Sequence, residues 1–148
     1  MESFELLCGP TQIVVEVHGY ERAAATDPSD ANWLTCHLSF RSESVSSELD
    51  CSLTTSELKA FDRDLTLTLE NLESELTFQA YEEGLSLRFV PNKHGQFKIA
   101  GSLRDYRSAK VVVSFELTCG LDVVASFHAG LRRVLRAFPV RALGVTPG

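Results

Sequence analysis

The sequence lacks the segments that would assign it to a membrane or to secretion. Its longest apolar runs, such as Val111–Val113, fall far short of the roughly 18 residues needed for a transmembrane helix. The first residues, Met1–Glu5, are acidic where a secretory signal would be basic and then apolar. We therefore expect a soluble, cytoplasmic protein that makes no use of a membrane.

Metal-binding cysteine motifs are absent too. The four cysteines form no C-x-x-C pair, and no pair of closely spaced histidines accompanies them. In a cytoplasmic chain, isolated cysteines on apolar strands are mostly small buried hydrophobic residues, with a disulfide or a metal site as the alternatives. These cysteines are Cys8, Cys36, Cys51 and Cys119.

Recognisable catalytic motifs are missing as well. The nine glycines form neither a dinucleotide-binding nor a P-loop pattern, and there is no G-x-S-x-G elbow. Cys36 and His37 are adjacent, so on a strand they point to opposite faces and cannot act together as nucleophile and base. The carboxylates Asp62 and Asp64 diverge on a helix instead of converging across a cleft. The sequence predicts no enzyme activity and no bound cofactor.

Charge is plentiful but unevenly distributed along the chain. The net formal charge is −6, yet residues 1–83 carry 17 acidic and 4 basic side chains, whereas residues 84–148 carry 3 and 10. An acidic surface repels phosphate backbones, which argues against a nucleic-acid partner. It attracts a basic protein and speeds the encounter with it. The alternative is that the charge serves only solubility.

Frequent turn signals and period-2 alternation predict about eight strands. We place them at residues 3–8, 12–20, 33–40, 44–52, 75–81, 85–90, 96–104 and 110–118. Glu21–Ala31 is predicted to be a loop, and the most apolar strand, the last one, is predicted to be central. If the second and third strands pair, His18 and His37 share an exposed face, as solvated side chains or, alternatively, as metal ligands.

Two amphipathic helices complete the predicted fold. Thr54 and Glu57 form a capping box that starts a helix over about 55–71, with Glu57 expected on its outer face. A second helix over about 123–138 is predicted to be capped by Asp122 and stopped by Pro139. The fold class is α+β: one or more antiparallel sheets with two helices packed on them. Residues 1–140 are predicted to form one domain and residues 141–148 a flexible tail.

Candidate partner-binding residues follow from charge and exposure alone. A tryptophan beside a polar loop is typical of a protein-binding anchor, although a core position is the alternative. Acidic side chains in or beside the first long helix supply the charge. The predicted set is Trp33, Glu57, Asp62, Asp64, Glu70, Glu73, Glu82 and Glu83.

The order of several short stretches resembles the WapI-type immunity proteins of bacterial polymorphic toxin systems. The likeness covers about residues 30–140, and Thr118–Leu121 departs from it where the family has an acidic and polar stretch. The matching stretches are Ala31–Leu34, Leu53–Leu58, Glu83–Leu87, Gly95–Gly101, Phe115–Thr118 and Phe138–Val140.

The resemblance implies a small cytoplasmic antitoxin that binds and blocks a cognate toxin domain. Such toxins are often basic nucleases, which agrees with the acidic first half of the chain. Two alternatives remain at this stage. One is a structural domain that self-associates as a homodimer. The other is a small-molecule-binding domain with a cavity between sheet and helices, lined by His18, His37 or His94.

Overall fold

The computed structural model describes residues 1–105 and 111–141. It contains eight strands, two long helices and one short helical turn. In chain order the elements are β1 (Glu2–Cys8), β2 (Thr11–Tyr20), α1 (Pro28–Ala31), β3 (Trp33–Arg41), β4 (Ser46–Thr54), α2 (Thr55–Glu70), β5 (Leu76–Gln79), β6 (Leu85–Pro91), β7 (Gln96–Asp105), β8 (Val111–Gly120) and α3 (Leu121–Ala137).

The strands form two antiparallel sheets in which each strand pairs with its neighbours in sequence. The first sheet has the order β1-β2-β3-β4 and the second β5-β6-β7-β8. Helix α2 connects the two sheets, and α3 follows the last strand. The predicted α+β class, with antiparallel strands and two long helices, is confirmed. The predicted loop 21–31 contains the short helix α1 at its end.

Aromatic rings fill the space between the sheets and the helices. Phe40 of the first sheet stacks on Phe115 of the second, with ring centroids 5.4 Å apart. Phe61 of α2 stacks on Phe78 at 4.5 Å and meets Phe127 of α3 at 5.8 Å. Both sheets and both long helices therefore share one core, and the interior considered for a small molecule is occupied by phenylalanine side chains.

Helix α3 packs closely against β1, at one edge of the first sheet. A Cβ atom on Gly130 would lie 3.0 Å from the Cα of Phe4 and 3.2 Å from the carbonyl oxygen of Ser3. Contacts this short require glycine, because a larger residue would push the helix away from the strand. Covering a strand edge with a helix also protects it from pairing with another chain.

Two predictions about the last strand and helix were wrong. β8 lies at the edge of its sheet, not in the centre, and Val111 and Val112 are 53% and 44% exposed. The strand is nevertheless apolar in part because Phe115 lies on its core-facing side and packs against the core. Helix α3 begins at Leu121 with Gly120 as its N-cap and no side-chain cap hydrogen bond, so Asp122 lies in the first turn of the helix.

The Arg141 side chain hydrogen-bonds the end of the described chain to the segment before β3. Its guanidinium donates to the carbonyl oxygens of Ala23 and Arg22, both at 3.0 Å, and to that of Ala31. The same group lies 3.8 Å from the ring centroid of Tyr20, a cation–π geometry. Arg141 is the first residue of the predicted tail, and residues 142–148 lie outside the described residues.

The Thr54–Glu57 capping box is present, but Glu57 is buried, contrary to the expectation of an outer-face residue. One carboxylate oxygen accepts from the Thr54 backbone N–H at 2.7 Å and the Thr54 hydroxyl at 2.8 Å. The other accepts from the Tyr81 N–H at 2.6 Å. Glu57 is only 6% exposed, so it is part of the interior and not of a partner-binding surface.

We predict that Glu57→Ala lowers the free energy of unfolding by about 3 kcal/mol, because it leaves buried N–H donors without an acceptor. Thr54→Ala removes only the cap and should cost about 1 kcal/mol. Urea unfolding measures both values. Glu70→Ala, at an exposed position of the same helix, is the control, with an expected change within about 0.5 kcal/mol. Equal losses for Glu57→Ala and Glu70→Ala would contradict this role.

Candidate partner-binding surface

The outward face of the first sheet carries a concentration of acidic side chains. Residues alternate between the core and this face along each strand, and the register aligns the outward residues in rows. One row runs through Ser3, Glu16, His37 and Asp50 across all four strands. Cβ atoms of directly opposed residues in such a row are about 5 Å apart, so Glu16 and Asp50 flank His37 on this face.

The next row adds two more carboxylates to the same face. It runs through Glu5, Val14, Ser39 and Glu48. A shallow depression of about 270 Å³ lies between β2, β3 and β4, with Glu16 and Glu48 in its lining. We call the outward carboxylates of these two rows the acidic face: Glu5, Glu16, Glu48 and Asp50.

His37 lies at the centre of the acidic face, between two of its carboxylates. Its Nδ1 atom is 2.8 Å from Asp50 Oδ1 and its Nε2 atom is 3.7 Å from Glu48 Oε1. The hydrogen bond with Asp50 raises the pKa of His37 above its usual value. Partial burial opposes this increase, and the charge of Asp50 and the contact with Glu48 add to it. His37 therefore adjusts the charge of this face near neutral pH.

The outward face of the second sheet has the opposite sign. Arg88, Lys98 and Arg104 point away from the core. On the outward positions of β6, β7 and β8, as far as the structure describes them, the one acidic residue is Glu116. Arg88 pairs with Glu75 at 2.9 Å, beside the start of β5. The two sheets thus present faces of different charge to the surroundings.

Trp33 is half-buried at the start of β3. Its position in the strand alternation places it on the outward side, opposite the core residue Leu34, and its register partner is Thr54. Trp33 therefore belongs to the same side of the first sheet as the acidic face. The exposure of the Trp33 side chain is therefore between that of a buried core residue and that of an exposed anchor.

Asp62 is occupied within the molecule, although it was predicted to face a partner. Its Oδ1 atom is 2.7 Å from Nε2 of His128 and 3.2 Å from Nε of Arg132. Thr66 extends this cluster, with its hydroxyl 3.1 Å from the same histidine nitrogen. These contacts join α2 to α3, so Asp62 has a structural role.

The other predicted acids divide into two groups. Asp64, Glu70 and Glu73 lie along the outer side and just beyond the end of α2. Glu82 and Glu83 lie in the β5–β6 turn, where Glu83 pairs with Arg104 at 3.6 Å. Glu82 shares the lining of a cavity with Asp50, which extends the negative charge from the acidic face to this turn.

Sequence reasoning missed the acidic face. A usable signal existed: Glu5, Glu16, Glu48 and Asp50 all occupy polar positions of alternating strands. Their proximity depends on strand register, which alternation alone does not give.

The histidines named for the small-molecule alternative, His18, His37 and His94, lie in different parts of the described structure. His18 pairs with Glu16 at 3.5 Å on the first sheet, whereas His94 lies in the turn between β6 and β7. In the described ranges 1–105 and 111–141, no group of three or more His, Cys, Asp or Glu is arranged to hold a metal ion. None of the helices in this part of the chain has the length and apolar character of a membrane-spanning segment.

The Immunity protein WapI-like family matches residues 8–139, which is most of the chain. The chain therefore belongs to this family. Immunity proteins neutralise toxins by binding them and are in general not catalysts. No curated protein matches the chain.

We predict that protonated His37 stabilises the fold at low pH. Its pKa is raised in the folded state, so its contribution is complete below the unfolded value of about 6.5 and is lost as pH rises through the folded value. His37→Gln should flatten the fall in unfolding free energy over that interval, measured by urea titrations at a series of pH values. The effect should shrink in an Asp50→Asn background. An unchanged slope would show that these contacts do not couple to folding.

Proposed function

We propose that this protein neutralises a basic toxin domain, a nuclease being the leading candidate, in the cytoplasm of a bacterium. The acidic face is the observation that carries this proposal. Four carboxylates on three strands of one sheet attract a basic surface and hold it in one orientation. Nucleases need basic clefts to bind phosphate backbones, so an acidic face that covers such a cleft excludes the substrate.

Trp33 supplies an apolar anchor on the same side of the sheet. Interfaces depend on a few large, partly rigid side chains surrounded by polar residues, and tryptophan is enriched among them. The half-buried position of Trp33 keeps its ring orientation fixed before binding, which lowers the entropy lost on association. We propose contact with the toxin through Trp33 and the acidic face, with Glu82 and Glu83 at the margin.

The acids on α2 form a rival surface. Asp64, Glu70 and Glu73 lie on or just after α2 and not on the outward face of the first sheet, and Asp64 borders a different depression beside β5. We favour the sheet, because a sheet fixes its side chains more rigidly than the end of a helix does.

The second candidate function, self-association, is favoured by a different part of the molecule. Val111 and Val112 are exposed on the edge strand β8, and an exposed apolar edge is suited to pairing with another chain. The acidic face itself disfavours a symmetric homodimer, since a two-fold contact would place like charges opposite each other. Sedimentation equilibrium measures this: a monomer at micromolar concentration argues against the second candidate.

We predict that Glu48→Lys/Asp50→Lys weakens binding to the toxin domain encoded beside this gene by about tenfold or more. Calorimetry at two salt concentrations measures the affinity, and wild-type binding should weaken as salt screens the charges. Glu70→Lys/Glu73→Lys changes the net charge equally and is the matched control. Thermal unfolding verifies that both variants are folded.

The possible outcomes test the proposed toxin neutralisation and the proposed binding surface separately. Loss of binding confined to the sheet variant supports the acidic face. Loss confined to the α2 variant moves the interface to the helix but leaves toxin neutralisation intact. If wild-type protein neither binds the toxin domain nor protects cells that express it, the proposed function is wrong.

A further inference from the structure

The fold brings the four cysteines together as two thiol pairs that are remote in sequence. Cys36 is the register partner of Cys51 on β3 and β4, and the thiols of Cys8 and Cys119 lie close enough to interact. In each pair one sulfur is buried and the other is partly exposed: Cys36 and Cys119 are 1% and 2% exposed, whereas Cys51 and Cys8 are intermediate. All four are free thiols, so the structure goes beyond the sequence expectation of isolated core residues.

The geometry of the Cys36–Cys51 pair suits a disulfide. The two residues are direct register partners on the antiparallel strands β3 and β4, so their side chains lie on the same face of the sheet. Direct partners have Cα atoms about 4.5–5.5 Å apart. Disulfides span Cα distances of about 4.4–6.8 Å. A bond between these sulfurs therefore needs no displacement of the strands.

A small oxidant has access to Cys51 but not to Cys36. Cys51 lines a cavity of about 140 Å³ beside the β5–β6 turn, together with Asp50, Glu82 and Arg104. Gly84 lines the same cavity and lies next to Cys51. A Cβ atom on Gly84 would be 3.4 Å from the Cβ of Cys51. A molecule the size of water or hydrogen peroxide fits such a cavity.

The buried partner is suited to close the bond. Interaction with the Cys51 thiol, together with burial, raises the pKa of the Cys36 thiol. In the structure the Cys36 Sγ donates to the Leu34 carbonyl oxygen at 3.6 Å. The thiolate is the reactive form of cysteine, so oxidation begins at the accessible Cys51 and Cys36 reacts second, as the resolving thiol.

We propose that Cys51 and Cys36 form a thiol oxidation site, in which hydrogen peroxide oxidises Cys51 and Cys36 then closes a disulfide across β3 and β4. The proposal does not rest on the proposed function, although the cavity beside Cys51 is lined by Asp50 and Glu82, which the proposed toxin contact includes. A disulfide between adjacent strands is accessible to reductants from the Cys51 side, so the modification is reversible.

The chemistry balances with one peroxide per bond. The Cys51 thiolate attacks a peroxide oxygen, the O–O bond breaks, and hydroxide leaves to become water, which gives a sulfenic acid. The Cys36 sulfur then attacks the Cys51 sulfur, the S–O bond breaks, and the hydroxyl leaves as water with the thiol proton. The two sulfurs lose two electrons in total, and the peroxide is reduced to two water molecules.

The test uses the full chain with Cys8→Ser/Cys119→Ser, which retains only the proposed pair. The folded protein is treated with a small excess of hydrogen peroxide, quenched with catalase, unfolded and alkylated with N-ethylmaleimide. We expect two free thiols before treatment and none after it, with the peptides containing Cys36 and Cys51 linked by mass spectrometry. Dithiothreitol should restore both thiols.

Cys36→Ser in the same background is the matched control and should stop at a sulfenic acid on Cys51, which dimedone traps. Cys51 oxidised further while Cys36 is still alkylated would overturn the proposal, as would two free thiols after peroxide treatment. If the double variant does not fold, peptide mapping of oxidised wild-type protein makes the same distinction. There the absence of a Cys36–Cys51 link, or a link of either residue to Cys8 or Cys119, overturns it.

Discussion

One buried carboxylate, that of Glu57, connects the parts of this fold. It accepts hydrogen bonds from Thr54, the last residue of the first sheet, and from the Tyr81 N–H at the turn of the second sheet. Burying an ionised group is costly unless several donors and a favourable dipole offset the loss of water. Here three donors and the N-terminus of α2 do so. The sheet-to-helix junction and the second hairpin are thereby fixed relative to each other.

With the sheets held by this junction, their apolar faces point inward. The phenylalanines of β3, α2, β5, β6, β8 and α3 lie between them, with ring centroids 4.5–5.9 Å apart. Within the described residues these rings fill the space between the sheets and the helices, and the outward face with the clearest chemical character is the acidic one.

A structural feature can be predicted from the sequence when the residues that determine it are close together along the chain. The capping box was predicted because Thr54 and Glu57 are three residues apart and interact within one turn. The orientation of Glu57 was predicted wrongly because its third donor, Tyr81, is 24 residues away. β8 was placed in the sheet centre because its apolar run suggested burial on both faces, but hydrophobicity does not report strand order. The acidic face joins residues from Glu5 to Asp50, and only the register of four strands brings them together.

The uneven charge of the sequence acquires its physical meaning from the topology. Because strands pair in sequence order, the acidic first part of the chain supplies the first sheet and the more basic last part supplies the second. A charge asymmetry along the chain thus becomes a charge difference between two faces. Such a distribution orients an approaching basic protein before contact, which raises the association rate. Under the proposed function, the protein must bind its toxin before the toxin reaches its substrate, and fast, oriented association serves that purpose.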